Sequence, residues 1–239
     1  MAFRDRLFPP EPVCLSCQGK IIFSTLSSIC DDCLQEMSFV TRRCLRCGSQ
    51  LPETEITGFC QICRSQELKL ESIRAPLIYR GKAREVLLEL KYHKNSGLAL
   101  PLGQLMADYW KSFSDDAGRD FLVVPVPLSR ERLTARGFNQ ARLLGEVVAW
   151  EAGLVIEDIL TRKRNTPPLY HLNNQQRNLV LRGAFRLQTV STARVTDRKI
   201  LLVDDIVTTG STLNEAATIL LAAGACQVSA LTAAAAERV

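Results

Sequence analysis

Histidine is scarce in this sequence of 239 residues, which contains only His93 and His171. Two isolated histidines offer no evident general base of the imidazole type. The sequence also lacks both glycine-rich signatures of nucleotide binding, since neither G-x-x-x-x-G-K-[ST] nor G-x-G-x-x-G occurs. Enzymes that depend on a P-loop or on a Rossmann dinucleotide site are therefore not indicated.

Long apolar runs are missing as well. No stretch reaches the roughly 18 residues that predict a membrane-spanning helix, and the first residues lack the apolar segment of a secretory signal. The apolar content of 46% and the charged content of 23% are those of a globular protein with a sizeable core. We therefore expect a protein without a membrane span that is located in the cytoplasm.

The net charge of +5 is distributed unevenly along the chain. Residues 121–200 hold 13 Lys and Arg against 6 Asp and Glu, whereas residues 1–70 hold 8 of each kind. A local excess of this size predicts an anionic partner such as phosphate, pyrophosphate or nucleic acid. A solvated basic face has the same composition and remains the alternative.

Cysteine, in contrast, is abundant and concentrated. Eight of the nine cysteines form four C-x-x-C pairs, and shifting the first two pairs by 30 residues superposes them on the last two. In a reducing compartment such pairs predict structural zinc sites, because two thiolates on a tight turn supply half of a closed tetrahedron. The expected ligands of two Zn²⁺ ions are Cys14, Cys17, Cys30, Cys33, Cys44, Cys47, Cys60 and Cys63.

The spacing leaves the pairing of these four turns open. Sequential pairing gives two consecutive ribbons, whereas alternating pairing gives a cross-brace. Sequential pairing is favoured because each half then closes its own site with short loops. The ninth cysteine, Cys226, stands beside a predicted strand and is expected to be a small buried apolar residue.

Beyond a polar linker at 64–72, apolar runs alternate with amphipathic segments. Strands are predicted at 73–79, 121–127, 154–160, 182–187, 199–205 and 227–236, and helices at 84–93, 99–113, 138–153 and 211–225. This alternation predicts an α/β fold with a mostly parallel, doubly wound sheet. We expect a small Cys-rich domain at 1–70 before an α/β domain at 71–239, with ligands beyond the carboxyl ends of its strands.

The segment "ILLVDDIVTTGST" (200–212) carries the strongest functional signal. Its apolar strand runs into Asp204 and Asp205 and then into a hydroxyl-rich loop. The backbone N–H groups of that loop, at a helix N-terminus, can enclose a phosphate, and Gly210 allows a close approach. The carboxylates suit the vicinal hydroxyls of a sugar and a nearby Mg²⁺. These residues therefore predict a ribose 5-phosphate unit bound with a metal ion.

The same segment resembles the phosphoribosyl pyrophosphate (PRPP) motif of type I phosphoribosyltransferases. Two further stretches, "VPVPLSRERLTARGFNQARLLG" (124–145) and "RNTPPLYHLNNQQRNLVLRGAF" (164–185), follow a Cys-rich start and resemble the ComF family. The resemblance covers essentially the whole chain. It implies a type I phosphoribosyltransferase-like fold preceded by a double zinc ribbon, with PRPP or a related phosphorylated ribose as ligand and Mg²⁺ as its cofactor.

The resemblance also implies roles for individual positions. The acidic pair would hold the ribose hydroxyls, the turn at 124–128 would bind pyrophosphate with Arg132 close behind it, and the segment 162–178 would be a flap over the substrate. The implied catalytic residues are Asp204, Asp205, Arg130 and Arg136. The implied PRPP-binding residues are Asp204, Asp205, Val207, Thr208, Thr209, Gly210, Ser211, Thr212, Pro125, Val126, Pro127 and Arg130.

Three functions remain open at this point. The favoured one is an enzyme that transfers the phosphoribosyl group to an acceptor, with Mg²⁺ and arginines neutralising the leaving pyrophosphate. In the flap, however, Leu169, Asn173 and Gln176 replace the Gln, Ser and Glu of the family pattern, which argues against efficient turnover. Another is a PRPP sensor, which binds the ligand without turnover.

The remaining function, which the resemblance implies, is non-catalytic handling of single-stranded DNA during uptake in competence. The zinc part would then be a docking platform for competence or helicase proteins. Cations and rings suited to a single strand are present at Lys91, Tyr92, Lys94, Phe138 and the arginines of 130–136. An ordinary helix surface with a core aromatic would explain the same residues.

Overall fold

A computed structural model of the chain describes residues 12–22, 24–26, 28–65, 68–92, 95–113, 120–163, 183–188 and 192–237. The helices are α1 (Asp31–Gln35), α2 (Gln61–Ser65), α3 (Gly81–Tyr92), α4 (Ala99–Lys111), α5 (Arg130–Arg136), α6 (Gln140–Ala152), α7 (Thr192–Val195) and α8 (Ser211–Ala222), with a 3-10 turn at Ser96–Leu98. The strands are β1 (Ile73–Arg74), β2 (Leu77–Ile78), β3 (Phe121–Pro125), β4 (Val155–Ile156), β5 (Leu160–Arg162), β6 (Phe185–Leu187), β7 (Lys199–Val207) and β8 (Gln227–Ala235).

The main sheet is parallel, with the strand order β1-β8-β7-β3-β4 and with β2 also paired to β8. All five residues of β3 are buried, as expected of a strand covered on both faces. Neighbouring residues of β7 pack on opposite sides of the sheet, Leu202 in the cluster that contains α8 and Leu201 in the cluster that contains α3, α4 and α6. The predicted α/β fold with a doubly wound parallel sheet is therefore confirmed.

Several predicted elements have different bounds in the structure. The predicted strand 73–79 is two short strands, β1 and β2, and the predicted strand 154–160 divides between β4 in the main sheet and β5, which pairs with β6 in a separate antiparallel ribbon. Strand β7 continues through the acidic pair to Val207, two residues beyond the predicted end. The acidic pair, predicted as the last two residues of the strand, is therefore followed by two further strand residues.

Helix α5 has no counterpart among the predicted elements. The hydroxyl of Ser129 caps it by accepting a hydrogen bond from the Arg132 N–H at 3.4 Å, and it ends at Gly137, whose φ of 84° lies in the left-handed region that favours glycine. None of its residues is buried. A helix without a buried face leaves no apolar periodicity in the sequence.

The duplication in the cysteine spacing is also a duplication in structure. Each repeat closes its first turn with an equivalent hydrogen bond, from Cys14 N to Gly19 O in the first and from Cys44 N to Ser49 O in the second, both at 2.8 Å. In each repeat the first thiol accepts a backbone N–H sixteen residues later, from Cys30 or from Cys60, at 3.3 Å. The helices α1 and α2 then begin one residue after Cys30 and Cys60.

The two repeats pack directly on the α/β sheet. The first places Cys14, Cys30 and Cys33 in the apolar cluster of α3, α4 and α6, whereas the cysteines of the second lie in the cluster of α8. The segment between them bridges to the sheet edge, since Val40 N donates to Pro76 O at 2.9 Å and Ile78 N donates to Ser38 O at 2.8 Å. The Cys-rich part therefore shares both cores of the molecule and covers the β2 edge.

The expectation that Cys226 is buried is wrong. This residue is exposed in the turn before β8, where its thiol lies 3.5 Å from the Asp197 carbonyl oxygen. The apolar run of β8 begins only after it.

Among the helices of the described ranges, none combines the length and the apolar composition needed to cross a bilayer.

Candidate functional site

The candidate site lies at the carboxyl ends of β3 and β7. Because these strands are parallel neighbours, Pro125 stands opposite Val203, the residue before the acidic pair. The predicted pyrophosphate turn is held against β7 by a hydrogen bond of 2.9 Å from Val126 N to Val203 O. The structure thus brings Pro125, Val126 and Pro127 to the same edge of the sheet as Asp204, as expected for ligand sites in this fold class.

The hydroxyl-rich loop after β7 forms the wall of a pocket. The pocket is lined by Asp204 and by the residues of 206–213, and it opens to solvent. Gly210 has a φ of 80° and immediately precedes α8. The hydroxyls of Thr209 and Ser211 lie 3.0 Å apart. The first residues of α8 line this concave surface, and the Ser211 N–H donates to Thr209 Oγ1 at 3.4 Å. The first N–H groups of a helix lack intrahelical acceptors, which is why helix N-termini form anion sites.

The acidic pair does not act as one unit in this structure. Successive strand residues point to opposite faces, and Asp204 lines the pocket while Asp205 lies outside it. Asp205 instead pairs with Lys91 of α3, whose Nζ is 3.0 Å from Asp205 Oδ2. Both side chains are largely buried, at 12% exposed for Asp205 and 16% for Lys91.

Burial raises the pKa of Asp204 to about 7, and the neighbouring charge of Asp205 adds to this rise. The Asp205 backbone N–H, which donates to Asp204 Oδ1 at 2.9 Å, acts in the opposite direction. Lys91 has its pKa raised by Asp205 and Asp204, although its own burial works against the charged form. The lysine is therefore a built-in countercharge for the acidic pair.

Arg162 at the end of β5 is a second cation near the pair. Burial lowers its pKa, as does the positive charge of Arg132, whereas Asp204 raises it. The charges of Arg132 and Asp204 therefore both act on the guanidinium group of Arg162. Two like-charged arginines, both partly buried, near the pocket favour an anionic ligand.

Arg136, one of the implied catalytic residues, is oriented by two contacts. Its NH1 donates to Gln140 Oε1 at 3.0 Å, and its guanidinium carbon lies 5.1 Å from the centre of the Tyr92 ring. Because Tyr92 follows Lys91 on α3, the end of this helix connects Arg136 with Asp205. Arg130, the other implied catalytic arginine, is exposed at the first residue of α5.

The string "RGFNQ" has a structural explanation. Asn139 Oδ1 accepts the Ala141 N–H at 3.1 Å and thereby caps α6, while its Nδ2 donates to Val126 O at 3.1 Å. Gln140 is buried and holds Arg136. These residues therefore fix the turn at Val126 and the side chain of Arg136.

The eight predicted zinc ligands gather in two clusters with the sequential pairing. Cys14, Cys17, Cys30 and Cys33 form one cluster and Cys44, Cys47, Cys60 and Cys63 form the other, with all sulfur atoms of a cluster within 4.8 Å of one another. The S···S distance is 3.8 Å between Cys17 and Cys30 and 3.6 Å between Cys47 and Cys60. A tetrahedron with Zn–S bonds near 2.3 Å has edges of about 3.8 Å. The donors present therefore fit two zinc ribbons.

Backbone N–H groups also favour the thiolate form that zinc requires. Burial opposes ionisation of the Cys14 thiol, but the N–H groups of residues that include Cys17 and Cys30 lower its pKa to about 6. In the second cluster, hydrogen bonds from the thiols of Cys47 and Cys63 lower the pKa of Cys44. In the same two clusters, burial raises the pKa of Cys33 to about 12, and the thiols of Cys44 and Cys47 raise that of Cys63.

The sequence alone does not assign Lys91 or Arg162 to the pocket. It places Lys91 with the candidate nucleic-acid residues and Arg162 with the flap. A Lys at the end of an amphipathic helix carries no signal of its own, and its contact with β7 depends on how α3 packs. The residues 164–182, which hold most of the predicted flap with Leu169, Asn173, Gln176 and His171, lie outside the described residues, as do His93 and Lys94.

Comparisons with known proteins agree with this organisation. The model of the phosphoribosyl transferase domain matches residues 145–238, and the model of the double zinc ribbon domain matches residues 3–66. Among solved structures, the glutamine PRPP amidotransferase from B. subtilis, complexed with ADP and GMP, is 20% identical. That likeness covers 59% of this chain and 25% of the amidotransferase, with a TM-score of 0.36.

Three relatives match over most of their length. The DNA utilization protein YhgH of Salmonella typhimurium is 30% identical over 84% of this chain and 87% of its own. The competence protein ComFC of Bacillus subtilis is 28% identical over 95% and 85%, and the competence protein F of Haemophilus influenzae is 27% identical over 87% and 90%. With its two four-cysteine clusters and its phosphoribosyltransferase-type sheet, the chain belongs to the ComF family.

Proposed function

We propose that the chain binds PRPP, or a related phosphorylated ribose, in the pocket between Asp204 and the loop 208–212. The observation that carries this proposal is that Asp204 and the first residues of α8 line the same concavity. The amides suit the 5-phosphate, and the carboxylate suits the ribose hydroxyls about one sugar away. Val207 and Thr208 connect the two halves of this site.

The pyrophosphate of PRPP would lie over the turn that contains Pro125, Val126 and Pro127. Arg136 and Arg130 flank that turn on α5, and a guanidinium can pair with two phosphate oxygens at once. Asp204 is the carboxylate best placed to hold a hydrated Mg²⁺ against the phosphates, because Lys91 already engages Asp205. A bound Mg²⁺ would neutralise part of the negative charge of the phosphates.

Transfer of the phosphoribosyl group is the favoured reaction of this site. The bond between the anomeric carbon and the pyrophosphate oxygen breaks, and an acceptor atom forms a new bond to that carbon. The chain's contribution is electrostatic: its arginines and the α8 amides stabilise the leaving pyrophosphate and the fixed 5-phosphate. The relatives' names mention competence and DNA utilization, and we propose a role for this chain in DNA uptake.

A single-stranded nucleic acid is the second candidate ligand. The ring of Tyr92 is 62% exposed and carries Arg136 over one face, a pairing suited to base stacking beside a phosphate. The structure weakens two of the other candidates for this role, because Lys91 is paired with Asp205 and Phe138 packs partly into the core. The pocket therefore favours the phosphorylated ribose as primary ligand.

We also retain two proposals from the sequence. The division into a Cys-rich part at 1–70 and an α/β part at 71–239 is supported by the closure of each four-cysteine cluster within the first part. A cytoplasmic location would keep the clustered thiols reduced, as zinc ligation requires.

Calorimetry with PRPP and Mg²⁺ tests the binding site. The wild-type protein is expected to bind, and Asp204→Asn is expected to weaken binding by at least about tenfold, since a charge-assisted hydrogen bond contributes about 1.5–3 kcal/mol. Asp197→Asn, an exposed substitution just before the opposite end of β7, is the matched control. Equal affinities of both variants would remove Asp204 from the site.

Two further assays separate the candidate functions. Release of pyrophosphate in the presence of candidate bases, by a protein that binds PRPP, identifies a transferase, whereas binding without release identifies a sensor. Filter binding of single-stranded DNA against salt concentration measures the number of phosphates neutralised. If the affinity for single-stranded DNA does not change with salt concentration, binding driven mainly by the DNA phosphates is excluded.

A further inference from the structure

The second zinc ribbon contacts β1 through a glycine that tolerates no side chain. Gly48 follows Cys47 with a φ of 72°, and a Cβ added there would lie 2.6 Å from the Ile73 carbonyl oxygen and 3.3 Å from the Arg74 Cα. Backbone atoms at such distances cannot move aside. Ile73 N also donates to the carbonyl oxygen of Arg46, in the same turn, at 2.8 Å. The turn is therefore seated directly on the β1 backbone.

The internal duplication shows that zinc ligation alone does not demand this glycine. The equivalent position in the first ribbon is Gln18, which has a φ of 62° and an exposed side chain. The first ribbon instead docks on the segment before α4, where Asn95 Nδ2 donates to Leu15 O at 3.3 Å. Gly48 is therefore explained by the contact with Ile73 and not by the geometry of the metal site.

The same Ile73 reaches the candidate phosphate loop on its other side. A Cβ added at Gly210 would lie 3.2 Å from Ile73 Cδ1 and 3.9 Å from Leu68 Cδ1. The neighbouring backbone is attached as well, since Lys69 N donates to Asn214 Oδ1 in the first turn of α8 at 2.6 Å. Residues 68–73, which follow the second ribbon, thus form the floor under Gly210.

We propose that Ile73 is a positioning residue through which the second zinc ribbon holds the loop 208–212 in its concave shape. The sequence of contacts runs from the turn at Gly48 to the Ile73 backbone, and from the Ile73 side chain to Gly210. Loss of the second zinc ion loosens the loop, whereas loss of the first does not. The part of this inference that concerns ligand affinity rests on the proposed function; the part that concerns the loop does not.

Hydrogen exchange of the full chain tests the contact without any ligand. Cys60→Ser is expected to reduce the zinc content to one ion per chain and to speed amide exchange in 208–213 by about tenfold. Cys30→Ser, the matched position 30 residues earlier, also removes one ion and is expected to leave exchange in 208–213 near the wild-type rate. Equal effects of the two variants, or no effect of Cys60→Ser on the loop, would overturn the proposal.

Ile73→Val provides a milder test, because it deletes only the methyl group that meets Gly210. With ribose 5-phosphate as the probe, this variant is expected to keep two zinc ions and to raise the Kd by about fivefold, within the range of modest couplings. Ile29→Val, which deletes a buried methyl group of the first ribbon, is the control and should leave the Kd unchanged. If the two Cys variants differ in loop exchange but the wild-type protein does not bind ribose 5-phosphate, the proposed function is rejected. The coupling between the second zinc ribbon and the loop 208–212 is then still supported. An unchanged Kd in Ile73→Val would reject the role of Ile73.

Discussion

Asp204 and Asp205 are adjacent in sequence but have different surroundings. Asp205 is buried against Lys91, whereas Asp204 faces the pocket and accepts the N–H of its own neighbour. The sequence predicts that two carboxylates meet a hydroxyl-rich loop, and the structure confirms this neighbourhood for Asp204. The sequence does not predict the separation of the pair, because that depends on the position of α3 relative to β7.

The raised pKa of Asp204 predicts a pH-dependent stability. Its pKa is about 7 in the folded protein and 3.8 in an unfolded chain, so the folded state binds the extra proton between these values. The stabilisation from this proton is fully present below about pH 4 and is lost as the pH rises to about 7. Asp204→Asn should therefore be more stable than the wild type at pH 8, by on the order of 2–4 kcal/mol, and similar to it at pH 4.

Urea unfolding at several pH values measures this difference. Asp197→Asn serves as the control, since it changes the same type of side chain at an exposed position. Its difference from the wild type should be constant over the same pH range. A constant difference for Asp204→Asn as well would show that the carboxyl group is ionised normally.

The buried ion pair predicts a large cost for removing its cation. Lys91→Met leaves the Asp205 carboxylate buried without its countercharge, and the free energy of unfolding should fall by about 3 kcal/mol. Lys111→Met is the matched control, because Lys111 is 45% exposed and pairs weakly with Asp108 at 3.7 Å; its cost should stay below about 1 kcal/mol. Adding Asp205→Asn to Lys91→Met should restore part of the lost stability. Equal costs of Lys91→Met and Lys111→Met would contradict the role of burial.

At the scale of helices and strands, the sequence predicts best where periodicity is strong. The apolar runs of β3, β7 and β8 and the spacing of α4 and α6 give these elements to within a few residues. Helix α5 is not predicted because it packs no residue into the core, and β7 is longer than predicted because its pairing with β8 continues past the acidic residues to Val207. Strand length here depends on the neighbouring strand and not on the local composition.

The crossing of α4 and α6 requires Gly103. A Cβ at this position would lie 2.5 Å from Val147 Cβ and 2.7 Å from its Cγ1. Gly→Ala in an ordinary helix stabilises by up to about 1 kcal/mol, but here we expect Gly103→Ala to destabilise the protein by about 1–3 kcal/mol, because two helices must separate.

Urea unfolding of Gly103→Ala and of the double variant with Val147→Ala tests this contact. The second substitution removes the opposing side chain and should recover part of the loss. Gly145→Ala is a useful comparison, because its new Cβ would lie within 3.4 Å only of the terminal methyl of Ile156, at 2.9 Å, with Val123 Cγ1 next at 3.5 Å. A larger loss at Gly145 than at Gly103 would contradict the close approach of the helices.

For the whole molecule, the zinc ribbons and the sheet form common cores. The cysteine spacing predicts the eight ligands, and the short loops favour the sequential pairing that the structure shows, but the spacing contains no information about where the ribbons dock. Docking depends on contacts such as those of Gly48 and Asn95, which have no short motif. Eight thiolates and two Zn²⁺ also reduce the formal charge of +5 to about +1, so the basic excess of 121–200 acts locally rather than over the whole surface.

Removal of zinc should therefore destabilise the entire chain. Elemental analysis is expected to find two zinc ions per chain, and chelation should lower a single thermal transition by about 10 °C, since the ligands lie in both apolar clusters. Calorimetry with and without the chelator is the measurement. Two separate transitions, of which the second is unaffected by the chelator, would indicate that the ribbons unfold independently.

The bridge between the ribbons has one more consequence. Residues 38–40 occupy the hydrogen-bonding groups of β2 that face away from β8, through the pairing of Phe39 with Leu77. A shortened chain that began after them would leave this row of peptide groups open. Because open rows of this kind can pair with another copy of a protein, we expect such a shortened chain to aggregate more readily than the full chain.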